Sequence, residues 1–506
     1  MHRSIAEGHL SAPDANGSRA RWVAGVVGVA LACAAFALYW FSNPQHYNQY
    51  THFVWQADAF LHGRPWFPYP IQNGVNTVTG AEFPGAPDNY YFQDVFPLKD
   101  AAGNDLGRVL LPFPPLPAIV LMPFVAVFGL FVDQETIAIG LGALGVLTTW
   151  WMLGGLRPRL SVRILVTLIF ATGTTWWWAS AAGTTWYLAH LVALNLAMLA
   201  VGVTLRHDPR AAGETSREEE DRSDEAQDAA GVPDAYLRRV WAAAWPLDRS
   251  QVLAGLLLGL SATARLPLVF AAPWFIFVGG GDSRLRRTLS TGAGAFLPVA
   301  ALLLYTFATT GSFMHPGYDY QYQLEANGYP TLGYHPDWSV EDIRYIPHNL
   351  GIMLGSVPVI APDIKPNTLG FGDTIYLCSA PNTGRGLFDS TCPLAMPVDV
   401  GTSVLLSAPG LLLAFLAFRR PRLARLKVGA TAAVVIIALF NLSHFSQGWV
   451  QWGYRFSLDF MPFLLPLVVI GAAKADGKPR LITFALVGLG AAVNIWGVAW
   501  GQILGW

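Results

Sequence analysis

The sequence predicts an all-α protein that crosses a membrane several times, and three observations carry this prediction. Of its 506 residues, 53% are hydrophobic and only 13% are charged, whereas a soluble domain carries about 25% charged residues. Apolar stretches long enough to cross a bilayer recur between basic segments and long polar loops. The 19 Trp and 17 Tyr residues fit aromatic belts at membrane interfaces. A formal net charge of −1 argues against a nucleic-acid partner.

Basic residues set the predicted orientation. Residues 1–21 form a polar tail with three arginines beside the first apolar segment, 22–41. Because Lys and Arg favour the cytoplasmic side of membrane segments, we expect this tail on the cytoplasmic side of a plasma membrane. The loop 44–133 is then on the outer side. The same rule places three further basic clusters inside, at 157–163, 283–287 and 419–427.

The apolar stretch 112–131 is predicted to be a juxtamembrane or re-entrant helix over 116–131 on the outer side. It opens with four prolines in six residues, which suits a helix start rather than a continuous crossing. A full crossing here would also move the arginines of 157–163 to the outside, against the positive-inside rule.

The remaining apolar segments complete a prediction of eleven spans with the C-terminus outside. The stretch 255–281 is too long for one untilted span, so we expect two short helices that meet near the outer face with Arg265 at the tip. The other predicted spans are 134–154, 164–181, 186–205, 289–309, 400–418, 428–443, 460–474 and 481–500.

The chain divides into two membrane regions, 22–205 and 250–506, joined by a cytoplasmic linker over 206–249. The linker is rich in acids and is predicted to be solvated. A second outer loop is predicted over 310–398. An external cysteine-labelling reagent should therefore reach residue 330, and labelling at residue 222 in intact cells would contradict this topology. No internal repeat is visible, which argues against a transporter built from repeated halves.

Two cysteines, Cys378 and Cys392, are predicted to form a disulfide in the second outer loop. Disulfides form and persist outside the cytoplasm, and Gly384 and Gly386 let the chain turn back between them. Closing such a loop stabilises it by about 3 kcal/mol in the chain-entropy model. Cys33 lies inside the first span and does not compete.

Several outer-face stretches resemble the GT-C superfamily of membrane glycosyltransferases, in particular its protein-mannosyltransferase-like members. They are QADAFLHGR (56–64), the run from Asp94 into the proline-opened helix, GLSATARLPLVFAAP (259–273), LYTFATTGSFMHPGYDYQ (304–321) and GWVQWGYRFSLDFMPFLLP (448–466). The resemblance implies a sugar transferase that uses a polyprenyl-phosphate carrier as donor and a glycan or lipid as acceptor. It departs from the family where many members place acids soon after the first span, because Asn48 and Gln49 stand there.

Glycosyl transfer of this kind needs a carboxylate that accepts the proton of the acceptor hydroxyl. Asp58 and Asp94 are equal candidates. Asp58 lies in a predicted helix and has a structural alternative as a partner of Arg64. Asp94 lies among aromatic residues that can raise its pKa by desolvation, and its structural alternative is a turn or capping acid.

The leaving phosphate needs cations. Arg265 is the strongest candidate, because an arginine in the middle of an apolar run is costly unless it is paired or functional. Its structural alternatives are snorkelling to the interface and an ion pair. Arg455, Arg108 and Arg64 are the other candidates. For Arg455 the structural alternative is a helical ion pair with Asp459, four residues on.

Aromatic and histidine side chains of the outer loops are candidates for contacts with sugar or acceptor, with an interfacial belt as the alternative. They are His52, Tyr318, Tyr320, His348 and Trp449. The spacing of the histidines gives no metal motif, so no metal or other cofactor is predicted. The competing interpretations are a transporter or flippase of lipid-linked glycans and a non-catalytic scaffold derived from a GT-C enzyme.

Overall fold

The computed structural model describes residues 15–46, 50–82, 84, 94–208, 247–328, 335, 337–367, 374–379, 384–420 and 423–506. This part of the chain is mostly helical with little strand, as expected of an all-α membrane protein. Asn48, Gln49, most of the predicted linker and the labelling positions 222 and 330 lie outside the described residues.

The helices of the first half are α1 (Ala15–Ser42), α2 (His52–Leu61), α3 (Leu116–Phe128), α4 (Gln134–Leu153), α5 (Leu160–Thr172), α6 (Trp176–Ala182) and α7 (Thr185–His207). Those of the second half are α8 (Arg249–Ala262), α9 (Ala272–Phe277), α10 (Arg284–Thr310), α11 (Gly317–Gly328), α12 (Ile346–Gly355), α13 (Val404–Ser407), α14 (Ala414–Ala417), α15 (Ala424–Ser443), α16 (Ser457–Ala472) and α17 (Leu481–Leu504). The strands are β1 (Phe67–Pro68), β2 (Ile71–Gln72), β3 (Val75–Asn76), β4 (Phe96–Lys99), β5 (Asp105–Leu110), β6 (Val359–Ile360) and β7 (Ala395–Met396).

Six helices of the described residues are long and apolar enough to cross a membrane: α1, α4, α7, α10, α15 and α17. The pair α5 and α6, bent by 50°, gives a seventh if it counts as one span. The other predicted spans are shorter or broken. The segment predicted over 400–418, for example, is divided between α13, a 3₁₀ turn over 409–413 and α14. Pro409 begins that turn, and proline cannot continue a regular helix because it lacks the N–H.

One end of the helix bundle, here called the loop face, gathers the ends of α1 and α6 and the starts of α4 and α7. Asn43 Nδ2 donates to Glu135 Oε2 at 3.0 Å and to the Ala181 carbonyl at 2.9 Å. Thr185 Oγ1 donates to the Tyr50 carbonyl at 2.7 Å. The first large loop therefore begins from a polar joint between four helix ends.

The opposite end, here called the arginine face, is held by guanidinium groups that donate to backbone carbonyls. Arg163 Nε donates to Trp150 O at 2.8 Å, and Arg480 Nε donates to Gly471 O at 2.9 Å. Arg420 donates to the Ala473 carbonyl in the same way. Arginines thus cap carbonyl-rich helix ends, which carry partial negative charge, at this face of the bundle.

The pair of short helices predicted over 255–281 is present as α8 and α9, and Arg265 lies between them. Leu116 N donates to the Thr263 carbonyl at 3.1 Å, which puts the end of α8 beside the first loop. Arg287 Nε donates to the Ile276 carbonyl at 2.9 Å, which puts the end of α9 beside the start of α10. The hairpin therefore turns at the loop face, and Arg265 lies at that turn.

The first large loop is folded rather than extended. It contains α2, α3 and a three-stranded sheet of order β1-β5-β4, all antiparallel. In the sheet Phe67 pairs with Val109 and Phe96 pairs with Leu110. Phe67 and Val109, which oppose each other on one side of the sheet, are buried in the same apolar cluster as residues of α4 and α7. This side of the sheet therefore packs towards the membrane region.

The second large loop contains α11, α12 and the antiparallel pair β6-β7. Cys378 and Cys392 form the predicted disulfide, with Cα atoms 4.4 Å apart. Trp500 Nε1 donates to the Leu387 carbonyl at 3.1 Å, so the disulfide-linked segment sits on the end of α17.

Candidate functional site

A buried carboxylate, that of Asp459, joins four elements at the loop face. Arg265 donates to it twice, Nη2 to Oδ2 at 2.7 Å and Nε to Oδ1 at 3.2 Å. Asn441 Nδ2 donates to Oδ2 at 3.0 Å, and His190 Nδ1 lies 3.0 Å from Oδ1. We call these four residues the Asp459 cluster. They come from α7, the hairpin tip, α15 and α16.

The Asp459 cluster explains how ionised groups persist in this apolar setting. The Asp459 and His190 side chains are fully buried, whereas 19% of the Arg265 side chain is exposed. Two parallel N–H···O bonds from one guanidinium to one carboxylate are among the strongest charge-assisted contacts. Asp459 therefore fixes the orientation of Arg265 while part of the guanidinium still meets solvent.

Asp459 forms its ion pair with Arg265. It does not form the helical ion pair with Arg455 that was the structural alternative for Arg455. Pairing at i and i+4 needs both residues in one helix, but α16 begins at Ser457, after Arg455. The Arg455 guanidinium lies over Phe456, 5.3 Å from the ring centroid, and 5.9 Å from that of Trp186. Arg265 also lies 5.3 Å from the Phe456 ring. The two guanidinium groups thus share one aromatic ring.

Gly448 provides the space for Arg455. Its φ is +86°, a left-handed conformation that glycine adopts without strain. A Cβ at this position would lie 2.6 Å from Arg455 Cζ. The loop between α15 and α16 therefore closes tightly on the guanidinium and holds it in place.

Asp94 lies next to this pair of arginines. Trp186 Nε1 donates to Asp94 Oδ2 at 2.6 Å. Although Asp94 keeps some exposure, desolvation by the surrounding protein raises its pKa, while the Trp186 hydrogen bond and the Arg455 charge lower it. Burial also raises the pKa of Tyr318, which lies within reach of the charges of Arg265 and Asp94. Contacts through Trp186 and Phe456 thus link Asp94, Arg455 and Arg265.

Comparison of the chain with family models, curated proteins and solved structures found no match. In the part of the chain that the structure describes, no group of three or more His, Cys, Asp or Glu side chains is placed to hold a metal ion.

Asp58 is the partner of Arg64, which was its structural alternative to a catalytic role. Asp58 Oδ2 lies 3.6 Å from Arg64 Nη2, and Asp58 Oδ1 lies 3.5 Å from His62 Nδ1. The Arg64 and Arg108 guanidinium groups lie 5.1 Å and 4.1 Å from the ring centroid of Trp66. These candidates therefore form a group of their own around Trp66 in the first loop, separate from the contacts of Asp459 and Asp94.

The other candidate residues have varied surroundings. His52 is buried with Nδ1 2.9 Å from Thr185 Oγ1, and burial lowers its pKa to about 3, so its imidazole is neutral. Tyr320 meets the Phe96 ring edge-on at 5.6 Å. His348 is exposed on α12, and Trp449 Nε1 donates to Asp399 Oδ2 at 3.0 Å. The charges of Arg265 and Asp94 act on the pKa of Tyr318, one of the five sugar or acceptor candidates.

Sequence reasoning missed His190, Asn441 and the pairing of Asp459. The available signal was the one already applied to Arg265, namely a polar or ionisable residue within an apolar helical segment. It also missed Trp186, which has no sequence signal that separates it from an interfacial anchor.

Proposed function

We propose that the chain is a membrane glycosyltransferase of GT-C type, which moves a sugar from a polyprenyl-phosphate carrier to a cell-envelope acceptor. The observation that carries the proposal is a desolvated carboxylate, Asp94, which shares Trp186 with the Arg455 guanidinium, while Arg455 and Arg265 share the Phe456 ring at one end of a membrane bundle. A base next to a pair of phosphate-binding cations is what this transfer requires.

In the proposed reaction Asp94 accepts the proton of the acceptor hydroxyl. The hydroxyl oxygen forms a bond to the anomeric carbon of the sugar while the bond from that carbon to the phosphate oxygen breaks. The leaving polyprenyl phosphate keeps the electron pair of the broken bond. Arg265 and Arg455 stabilise the charge that develops on it, and Tyr318 is placed to contact the sugar or the acceptor.

The proposed topology has eleven crossings, with the loop face outside the plasma membrane. The bent pair α5 and α6, the shorter helices α8, α9 and α16 and the broken segment over 404–418 supply the crossings beyond the six long helices. In support, basic residues concentrate at the face opposite Asp94, and such residues favour the cytoplasmic side. The donor would then reach the site from the outer leaflet.

The proposal is tested by donor consumption. The purified chain is reconstituted in liposomes with a panel of polyprenyl-phosphate hexoses and pentoses and an extract of envelope acceptors. We expect one donor to be converted to free polyprenyl phosphate in an acceptor-dependent manner. No conversion of any donor, with the protein folded and oriented, would contradict the proposal.

The activity should fall in acid at a higher pH than for an ordinary Asp base. Ionised Asp94 is the active form, and burial raises its pKa, so protonation removes activity earlier as pH falls. Trp186→Phe removes a hydrogen bond that lowers this pKa. We expect the acidic limb of the rate–pH profile to move to higher pH in Trp186→Phe and to stay in place in Trp22→Phe, an exposed indole. If the acidic limb moved to lower pH in Trp186→Phe, another group would be the base.

A further inference from the structure

A second polar feature of the bundle lies at the arginine face, the end opposite the loop face with Asp94. A cavity of about 420 Å³ opens between the starts of α1 and α5. Its lining residues are Arg19, Ala20, Val23, Ala24, Pro158, Leu160 and Arg163. The walls are thus apolar except for two guanidinium groups.

Arg163 is held in a fixed orientation at this cavity. Its Nε donates to the Trp150 carbonyl at 2.8 Å, and its Cζ lies 3.9 Å from the centroid of the Trp150 ring. On another side, a Cβ at Gly154 would lie 2.6 Å from Arg163 Nη2, so the guanidinium packs directly on the glycine backbone. A guanidinium held by stacking and by Nε keeps its terminal N–H groups for an anion in a planar, forked geometry.

The positive charge at this place is not balanced by a carboxylate of the described residues. Among them, no Asp or Glu oxygen lies within 4.0 Å of Arg19 or Arg163. Arg206 adds a further charge that acts on Arg163. It lies 3.5 Å over the Trp151 ring and donates to the Gly202 carbonyl at 2.9 Å. Guanidinium charges beside an apolar cavity wall favour pairing with an anion.

We propose that this cavity binds the headgroup of an anionic phospholipid. The apolar wall of α1 favours a lipid over a soluble anion, because α1 exposes apolar side chains such as Trp22 and Val26 along the same helix. Basic pockets between membrane helices are a known way to hold anionic headgroups. The phosphate would lie between Arg19 and Arg163, and one acyl chain would follow the apolar residues of α1.

The experiment measures lipid binding to the detergent-purified full chain by native mass spectrometry, with phosphatidylglycerol and phosphatidylcholine as probes. We expect phosphatidylglycerol to bind more tightly, with binding that weakens as salt rises. Arg19→Gln should weaken phosphatidylglycerol binding about tenfold, as expected for one charged hydrogen bond. Because Arg19 is exposed, this change should leave the fold intact.

A matched pair of glycine variants tests the geometry without changing charge. Gly154→Ala displaces the Arg163 guanidinium, whereas at Gly140, within α4, a Cβ meets nothing within 4 Å. We expect weaker phosphatidylglycerol binding in Gly154→Ala and unchanged binding in Gly140→Ala. Equal binding of the two lipids, or equal effects of the two variants, would overturn the proposal.

The acidic stretch over 214–228 is the competing anion. If neutralising Glu218, Glu219 and Glu220 creates phosphatidylglycerol binding that the unaltered chain lacks, the acidic stretch is the anion that occupies the cavity. The lipid proposal would then be wrong. Donor consumption at Asp94 is not part of this measurement, so the two proposals stand or fall separately.

Discussion

Asp94→Asn is expected to lower the rate of sugar transfer by about 10²–10⁴-fold, because an amide cannot accept the proton of the acceptor hydroxyl. The side chain keeps its size and keeps an oxygen that can accept from Trp186 Nε1. Donor binding should therefore be retained while turnover is lost. The measurement is the envelope glycan of cells in which the variant replaces the original chain, together with donor consumption in liposomes.

Asp58→Asn is the matched control for this experiment. It removes a carboxylate of the same loop that lies 3.6 Å from Arg64 and 3.5 Å from His62. A partly exposed ion pair of this kind contributes little to stability, and the rate should stay within about twofold of the original. Loss of transfer in Asp58→Asn with normal transfer in Asp94→Asn would reverse the assignment of the base.

Asp459→Asn should destabilise the fold by about 3–5 kcal/mol, the usual cost of removing one partner from a buried ion pair. The change leaves Arg265 without its bidentate acceptor and brings an amide N–H group towards donors of the Asp459 cluster. The measurement is the free energy of unfolding in mixed micelles by denaturant titration.

Asp282→Asn serves as the control for stability. Its carboxylate is 90% exposed and lies 3.1 Å from Arg286 Nη1 on the surface of the arginine face. We expect no measurable change for this variant. If Asp459→Asn were equally silent, the cluster would not hold the hairpin tip to α16, and Arg265 would not be fixed by it.

The sequence was sufficient to predict features that depend on local composition. The long helices, the two short helices around Arg265 and the Cys378–Cys392 bond all follow from apolar runs, prolines and loop length. The number of long spanning helices was not predictable in the same way. Hydropathy counts apolar residues, whereas breaks such as the one at Pro409 divide a run without changing its composition.

The site was predictable only in part, because its chemistry depends on distant contacts. Asp58 and Asp94 are equivalent as sequence candidates, and the difference between them comes from desolvation and from Trp186, 92 residues further along the chain. The partner of Asp459 likewise comes from Arg265, 194 residues away, rather than from Arg455 nearby. Spacing along one helix could not reveal either pairing.

The most direct test of the proposed function is a cryo-electron microscopy map of the chain incubated with undecaprenyl phosphate in nanodiscs. We expect phosphate density between the Arg265 and Arg455 guanidinium groups, beside Phe456 and on the same side as Asp94. Phosphate density elsewhere on the loop face, for instance around Trp66 between Arg64 and Arg108, would contradict it. So would a map in which the lipid phosphate leaves both Arg265 and Arg455 uncontacted.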